Sequence, residues 1–116
     1  KRYLALAKEI NKLYKIRKIP SQCDPIYDCF IFFEEDKKLR KKIIDKLFKI
    51  NIGTKNLPDA IKWHCSYHWD HALPKNDVKK TKKTYDLLSK AISIPIWLKR
   101  PVDEYIEIGK FIKSLK

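Results

Sequence analysis

The chain has no methionine, only two glycines and only three cysteines in 116 residues. With Gly53 and Gly109 far apart, there is no glycine-rich phosphate loop and no Gly-x-Ser-x-Gly nucleophile elbow. Long apolar runs are missing too. The longest, Cys29 to Phe33, is five residues and runs into Glu34, Glu35 and Asp36, far short of the ~20 that a bilayer-spanning helix needs. Lys1 to Ile19 is charged throughout and lacks the apolar centre of a signal peptide. Cys23, Cys29 and Cys65 are odd in number and follow no framework spacing, so they read as free thiols in a reducing compartment, and a cytoplasmic location is expected. The missing methionine reads as a piece of a longer chain, whose other residues bear on any catalytic role.

Arginine is also scarce. Arg2, Arg17, Arg40 and Arg100 stand beside 23 lysines in a chain of net charge +13. Base readout and bidentate phosphate clamps draw on arginine, whereas Lys37, Lys38, Lys41 and Lys42 interleave with Leu39, Ile43 and Ile44 as on an exposed helix face. The excess therefore reads as solvated surface, and sixteen isoleucines beside it point to a bias toward AT-rich codons. Nucleic acid is not the expected partner; a small basic nucleic-acid-binding module stands as the alternative function. A content of 44% apolar and 12% aromatic residues excludes a disordered polybasic tail and supports one domain with a real core.

Hydrophobic spacing gives the element order. Tyr3, Leu6, Ala7, Ile10, Leu13 and Tyr14 recur at three and four residues, which predicts a first helix ended by Ile19-Pro20. Ile26 to Phe33 is β-branched and aromatic and predicts a strand buried on both faces. Asp36 caps a second helix to Lys49, with Leu39, Ile43 and Leu47 inward and Asn51 and Gly53 as its stop. Ile52 to Lys55 suits a short strand. A third long helix is predicted from Asn76 or Asp77, with Tyr85, Leu88 and Ile92 buried. Ile92 to Trp97 follows as a strand that Pro95 restricts to an edge or a bulge. Pro101, Asp103 and Glu104 open a closing helix with Tyr105, Ile108, Phe111, Ile112 and Leu115 inward. The expected class is α+β, a small, mostly antiparallel sheet flanked by helices.

His64-Cys65-Ser66-Tyr67-His68-Trp69-Asp70-His71 gathers all three histidines with a cysteine and a carboxylate. On a helix, His64, His68 and His71 would share a face. A zincin helix carries Glu after its first His, however, and here Cys65 holds that place, so no metal site is expected. Cys65 between His64 and His68 imitates a thiol–imidazole pair, but nothing in the sequence activates the thiol, and a buried inert cysteine is the expectation. Trp63 and Trp69 read as core or interface.

Leu47-Phe48-Lys49-Ile50-Asn51-Ile52-Gly53-Thr54, a downstream His64, Ile92-Ser93-Ile94-Pro95-Ile96 and an acidic-headed closing helix occur in an order that resembles the C-terminal domain of the DegT/DnrJ/StrS sugar aminotransferases. In that family a helix ends in a Gly-Ile-Gly-Thr-like turn, a histidine-bearing segment follows, and a Leu-Ser-Leu-Pro-Leu-like strand precedes the last helix. Gly53-Thr54-Lys55-Asn56-Leu57-Pro58-Asp59, with His64-Cys65 following, looks like the branch that aminates C8 of 3-deoxy-octulosonate, a sugar of lipopolysaccharide. Leu57-Pro58 replaces the family's usual His-Tyr-Pro, which suits a free sugar acid better than a nucleotide-linked sugar.

The resemblance implies the small C-terminal domain of a fold-type-I enzyme that uses pyridoxal 5'-phosphate and takes its amino group from glutamate. Residues 1–19 would be the helix joining the two domains and 26–116 the small domain. The large domain of the same polypeptide would hold the cofactor and the catalytic lysine, so this segment is expected to bind no cofactor and to be inactive alone. A cytoplasmic homodimer with no membrane contact is implied. Lys55, as a carboxylate partner, and Asn56, as a hydroxyl partner, are the first candidates for substrate binding, followed by His64 and His68.

Overall fold

The computed structural model describes residues 1–53, 61 and 63–116. Along the chain these form α1 (Arg2–Ile10), β1 (Lys15–Ile16), β2 (Cys29–Phe33), α2 (Lys37–Lys49), a one-turn 3₁₀ helix (Ser66–His68), α3 (Lys75–Lys80), α4 (Lys82–Leu88), β3 (Ala91–Pro95) and α5 (Val102–Ser114). The strands make one antiparallel sheet in the order β1-β2-β3, with Phe32 opposite Ile92 and Phe30 opposite Ile94. The architecture is thus the α+β layer expected from the sequence. Among the described residues no helix is long and apolar enough to cross a membrane.

One face of the sheet carries the core. Phe30 and Phe32 of β2 and Ile92 and Ile94 of β3 are fully buried, packed with Leu6 and Ile10 of α1, Ile43 and Leu47 of α2, and Tyr105 and Ile112 of α5. Tyr3 meets Phe30 edge-on at 4.8 Å, and Tyr14 meets Phe32 at 5.1 Å. Each such aliphatic side chain stabilises the fold by roughly 1.5–3 kcal/mol on burial. Pro95 lies on the edge strand β3, where its missing N–H leaves no ladder bond unmade.

Four boundaries differ from the sequence reading. The first helix stops at Ile10, well short of residue 19, because Leu13 and Tyr14 both donate backbone N–H bonds to the Ile10 carbonyl and turn the chain. Tyr14 then re-enters the core from outside the helix, which mimics continued helical spacing, and Lys15–Ile16 pairs with β2 as an unanticipated strand. β2 starts at Cys29 and not at Ile26, since Tyr27 has φ 57° and breaks the extended path. The third helix is two helices, parted at Thr81, whose hydroxyl and N–H both bond the Val78 carbonyl. β3 ends at Pro95; the next-but-one N–H, from Trp97, donates to the Tyr105 hydroxyl at 2.7 Å.

The end of α2 follows from local chemistry. Asp36 accepts from the N–H groups of Lys38 and Leu39 at 2.7 and 3.1 Å and starts the helix. At the other end Asn51 takes a left-handed φ of 58°, its N–H bonds the Phe48 carbonyl, and the Ile52 N–H bonds the Leu47 carbonyl. Buried Ile52 and Leu47 complete the hydrophobic contact of this Schellman ending. Ile52 and Gly53 lie outside any strand, and the rest of the strand expected over Ile52 to Lys55 falls outside the described residues.

Candidate functional site

The histidine-rich segment is held from two sides. Ile61 and Cys65, four residues apart, are both buried, and the Cys65 N–H donates to the Ile61 carbonyl at 2.9 Å. Trp63 and His64, between these anchors, are left exposed, Trp63 at 78%. After Cys65, whose φ of −101° and ψ of 117° are extended, the chain makes its 3₁₀ turn over Ser66–His68. Tyr67 in that turn stacks on Tyr85 of α4 with ring centroids 4.5 Å apart, and His68 sits edge-on to both rings at 5.6 and 5.3 Å. Such contacts fix the turn to α4 at about 0.5–1.5 kcal/mol per ring pair beyond the area they bury.

This geometry settles where the histidines fall. Extended Cys65 separates His64 from the 3₁₀ turn that holds His68, and His71 lies beyond that turn, so the three histidines do not share one helix face. Among the described residues no group of three His, Cys, Asp or Glu side chains is placed to hold a metal ion. Cys65 is 3% exposed, while His64 faces solvent, and no hydrogen bond joins Cys65 to either neighbouring histidine among the described residues. The structure thus brings His68 to an aromatic cluster, leaves His64 and His71 on the surface, and buries the thiol. Lys55 and Asn56 lie outside the described residues.

A hollow at the end of α2 is built from residues that the sequence reading did not take as site candidates. Ile50, Ile52, Arg100, Asp103, Glu107 and Phe111 bound a hollow of about 570 Å³ between the end of α2 and the start of α5. Arg100 spans it: its guanidinium pairs with Glu104 at 3.1 Å, reaches the Asn51 carbonyl at 3.4 Å and lies over the Trp97 ring at 4.5 Å. The sequence signal was present in Arg100-Pro101 before two acids, but it reads equally as an ordinary helix start.

Two lysines and two helix starts among the described residues are unsuited to a pyridoxal phosphate site. An imine-forming lysine must lose its proton easily, whereas the hydrogen bonds that Lys82 donates to Asp86 and Lys110 donates to Glu107 hold those ammonium groups above the ordinary lysine range. A helix start can also bind phosphate through free N–H donors. Asp36 already takes those of α2, and Asp103 and Glu104 in the first turn of α5 repel an anion.

No family model matches the chain, and no curated protein or solved structure matches it either.

Proposed function

We propose that this chain is the small C-terminal domain of a pyridoxal-phosphate-dependent sugar aminotransferase, silent by itself, that helps seat an octulosonate for amination. In the reaction an amino group replaces the sugar's carbonyl oxygen while glutamate becomes its 2-oxo acid. The observation that carries the reading is the end of α2. Where the resembled family has the first glycine of its turn, this chain has Asn51, and Asn51 adopts the left-handed backbone that a glycine would supply. The turn then leads into Gly53-Thr54-Lys55-Asn56, in the order of that family's motif. The three-stranded antiparallel sheet, with Ser93-Ile94-Pro95 on its edge strand and an acidic-headed last helix, is in keeping with it.

In this reading Lys55 pairs with the carboxylate of the sugar acid and Asn56 bonds its hydroxyls. His64, exposed beside Trp63, and His68, held against Tyr85, supply further polar contacts. The large domain brings the cofactor, its lysine and the partner subunit's contacts, all in the cytoplasm.

The test compares the 116-residue chain with the longer polypeptide in which it follows a large domain, assayed with pyridoxal phosphate, glutamate and an aldehyde octulosonate. Amination and cofactor absorbance are expected from the longer polypeptide and neither from the chain alone. Amination by the chain alone, or a longer polypeptide that binds no cofactor, overturns the reading. In the active enzyme, Lys55→Ala and Asn56→Ala are expected to raise KM for the sugar by tenfold or so, the worth of one charge-assisted contact.

A further inference from the structure

The basic residues differ in what stands beside them. On three helices a carboxylate lies one turn from a lysine: Asp77 with Lys80 at 2.7 Å, Asp86 with Lys82 at 2.8 Å and Glu107 with Lys110 at 2.9 Å. α2 is different. It carries seven basic residues and one acid, and that acid, Asp45, serves Lys41 at 2.6 Å. Among the described residues no carboxylate forms an ion pair with Lys38, Lys42, Lys46 or Lys49.

The spacing concentrates positive charge that a single carboxylate of α2, Asp45, offsets at Lys41. Lys38, Lys42 and Lys46 repeat at four residues and Lys49 follows at three, so like charges stand above one another along one side of the helix, an arrangement that opposes helix formation. Lys37 and Lys38 also occupy the first turn, the positive end of the helix dipole. Core burial of Ile43 and Leu47 keeps α2 helical despite this, and the repulsion remains available for a polyanion to relieve.

Shape narrows the class of polyanion. Lys38, Lys41, Lys42, Asp45, Lys46 and Lys49 bound a shallow hollow of about 370 Å³. Lysines rooted about one helical turn apart, ~5.4 Å along the axis, make a row with a depression along it. A row of that kind suits a narrow, rounded strand of phosphates, spaced about 3.4 Å along the axis of a nucleic-acid strand, better than a flat bilayer. Bidentate arginine readout has no means here, because the only arginine of α2, Arg40, is occupied by the carbonyls of Glu34 and Glu35 at 2.7 and 3.4 Å.

We propose that the exposed face of α2 binds the phosphate backbone of a nucleic acid without reading its sequence. This inference stands apart from the transaminase reading, and the failure of one leaves the other untouched.

The test is fluorescence anisotropy of a labelled DNA duplex of about 20 base pairs with the 116-residue chain. Four phosphate contacts give a log–log salt slope near −3.6, a loss of roughly 100-fold in affinity between about 50 and 200 mM salt. Combining Lys38→Glu, Lys42→Glu and Lys46→Glu is expected to weaken binding more than tenfold and to cut the slope by about three. Lys79→Glu, Lys83→Glu and Lys99→Glu together change the net charge equally and are expected to leave the slope near its original value. Should the α2 variant fail to give a folded circular dichroism spectrum, Lys38→Gln, Lys42→Gln and Lys46→Gln carry the same test without charge reversal. Equal weakening by both triple variants, a flat salt response, or binding to phosphatidylserine vesicles but not to the duplex overturns the proposal.

Discussion

Gly109 and Glu9 meet where α1 crosses α5 with no room for another carbon: a Cβ on Gly109 would lie 2.7 Å from the Glu9 Cβ and 3.0 Å from its Cγ. The obstructing atom is the base of a helical side chain and cannot swing away, so this glycine sets how closely the first and last helices approach. Gly109→Ala would gain up to about 1 kcal/mol of helix propensity at an unhindered position. Here overpacking at about 1–3 kcal/mol is expected to win, with Tm several degrees lower by thermal melting. A rise in Tm would mean the helices part at little cost.

Two buried tyrosines invite opposite outcomes from one substitution. The Tyr105 hydroxyl donates to the Pro95 carbonyl at 3.2 Å and accepts the Trp97 N–H at 2.7 Å, which closes the exit from β3. The Tyr14 hydroxyl is buried with no hydrogen-bond partner among the described residues. Tyr105→Phe is expected to destabilise by about 0.5–1.5 kcal/mol, since a half-buried N–H and a buried carbonyl lose their partner, whereas Tyr14→Phe is expected to be neutral or stabilising. Urea titration of both variants checks the pair; equal losses contradict it.

Acid sensitivity should appear at the start of α2. The backbone N–H groups of Leu39 and Lys38 hold the Asp36 carboxyl below the ordinary aspartate range. A carboxyl lowered on folding contributes stability above its unfolded value, near pH 4, and loses it as pH falls through the folded value. Asp36→Asn keeps an acceptor at the cap while removing the titration. The difference in Tm between the original chain and this variant is therefore expected to shrink below about pH 4 and to hold constant above it. A difference that stays unchanged on acidification counts against the cap as its source.

The sequence was most legible where one local rule and the core agreed. Asp36 before Leu39, Ile43 and Leu47 specifies α2 almost to the residue, and Pro95 restricts its strand to an edge or a bulge, of which the structure has the edge. It misled where a residue was buried for a reason outside its own element. Tyr14 continues the spacing of α1 yet reaches Phe32 from a turn, and the Thr81 hydroxyl breaks a helix that carries no Gly or Pro. The candidate site was legible as a cluster of residue types. That Ile61 and Cys65 point in while Trp63 and His64 point out goes with the backbone bond between Ile61 and Cys65, and the break to an extended Cys65 has no signal in a string of polar and aromatic residues without a clear period.

The three thiols offer a direct check on that segment. Cys23 is exposed, Cys29 is half-buried in β2, and Cys65 is buried beneath the histidine-bearing turn. Burial pushes the Cys29 thiol up, more than its hydrogen bond with Ser93 pulls it down, so less of the reactive thiolate is present there at neutral pH. With an aromatic disulfide reagent at about pH 8, one equivalent is expected to react within seconds to minutes in native protein and the other two only as the fold opens. Mass spectrometry of the fast product should place the label on Cys23. Labelling of Cys65 in the same fast phase would mean that the Ile61–Cys65 anchor is open in solution, and the outward presentation of His64 would fall with it.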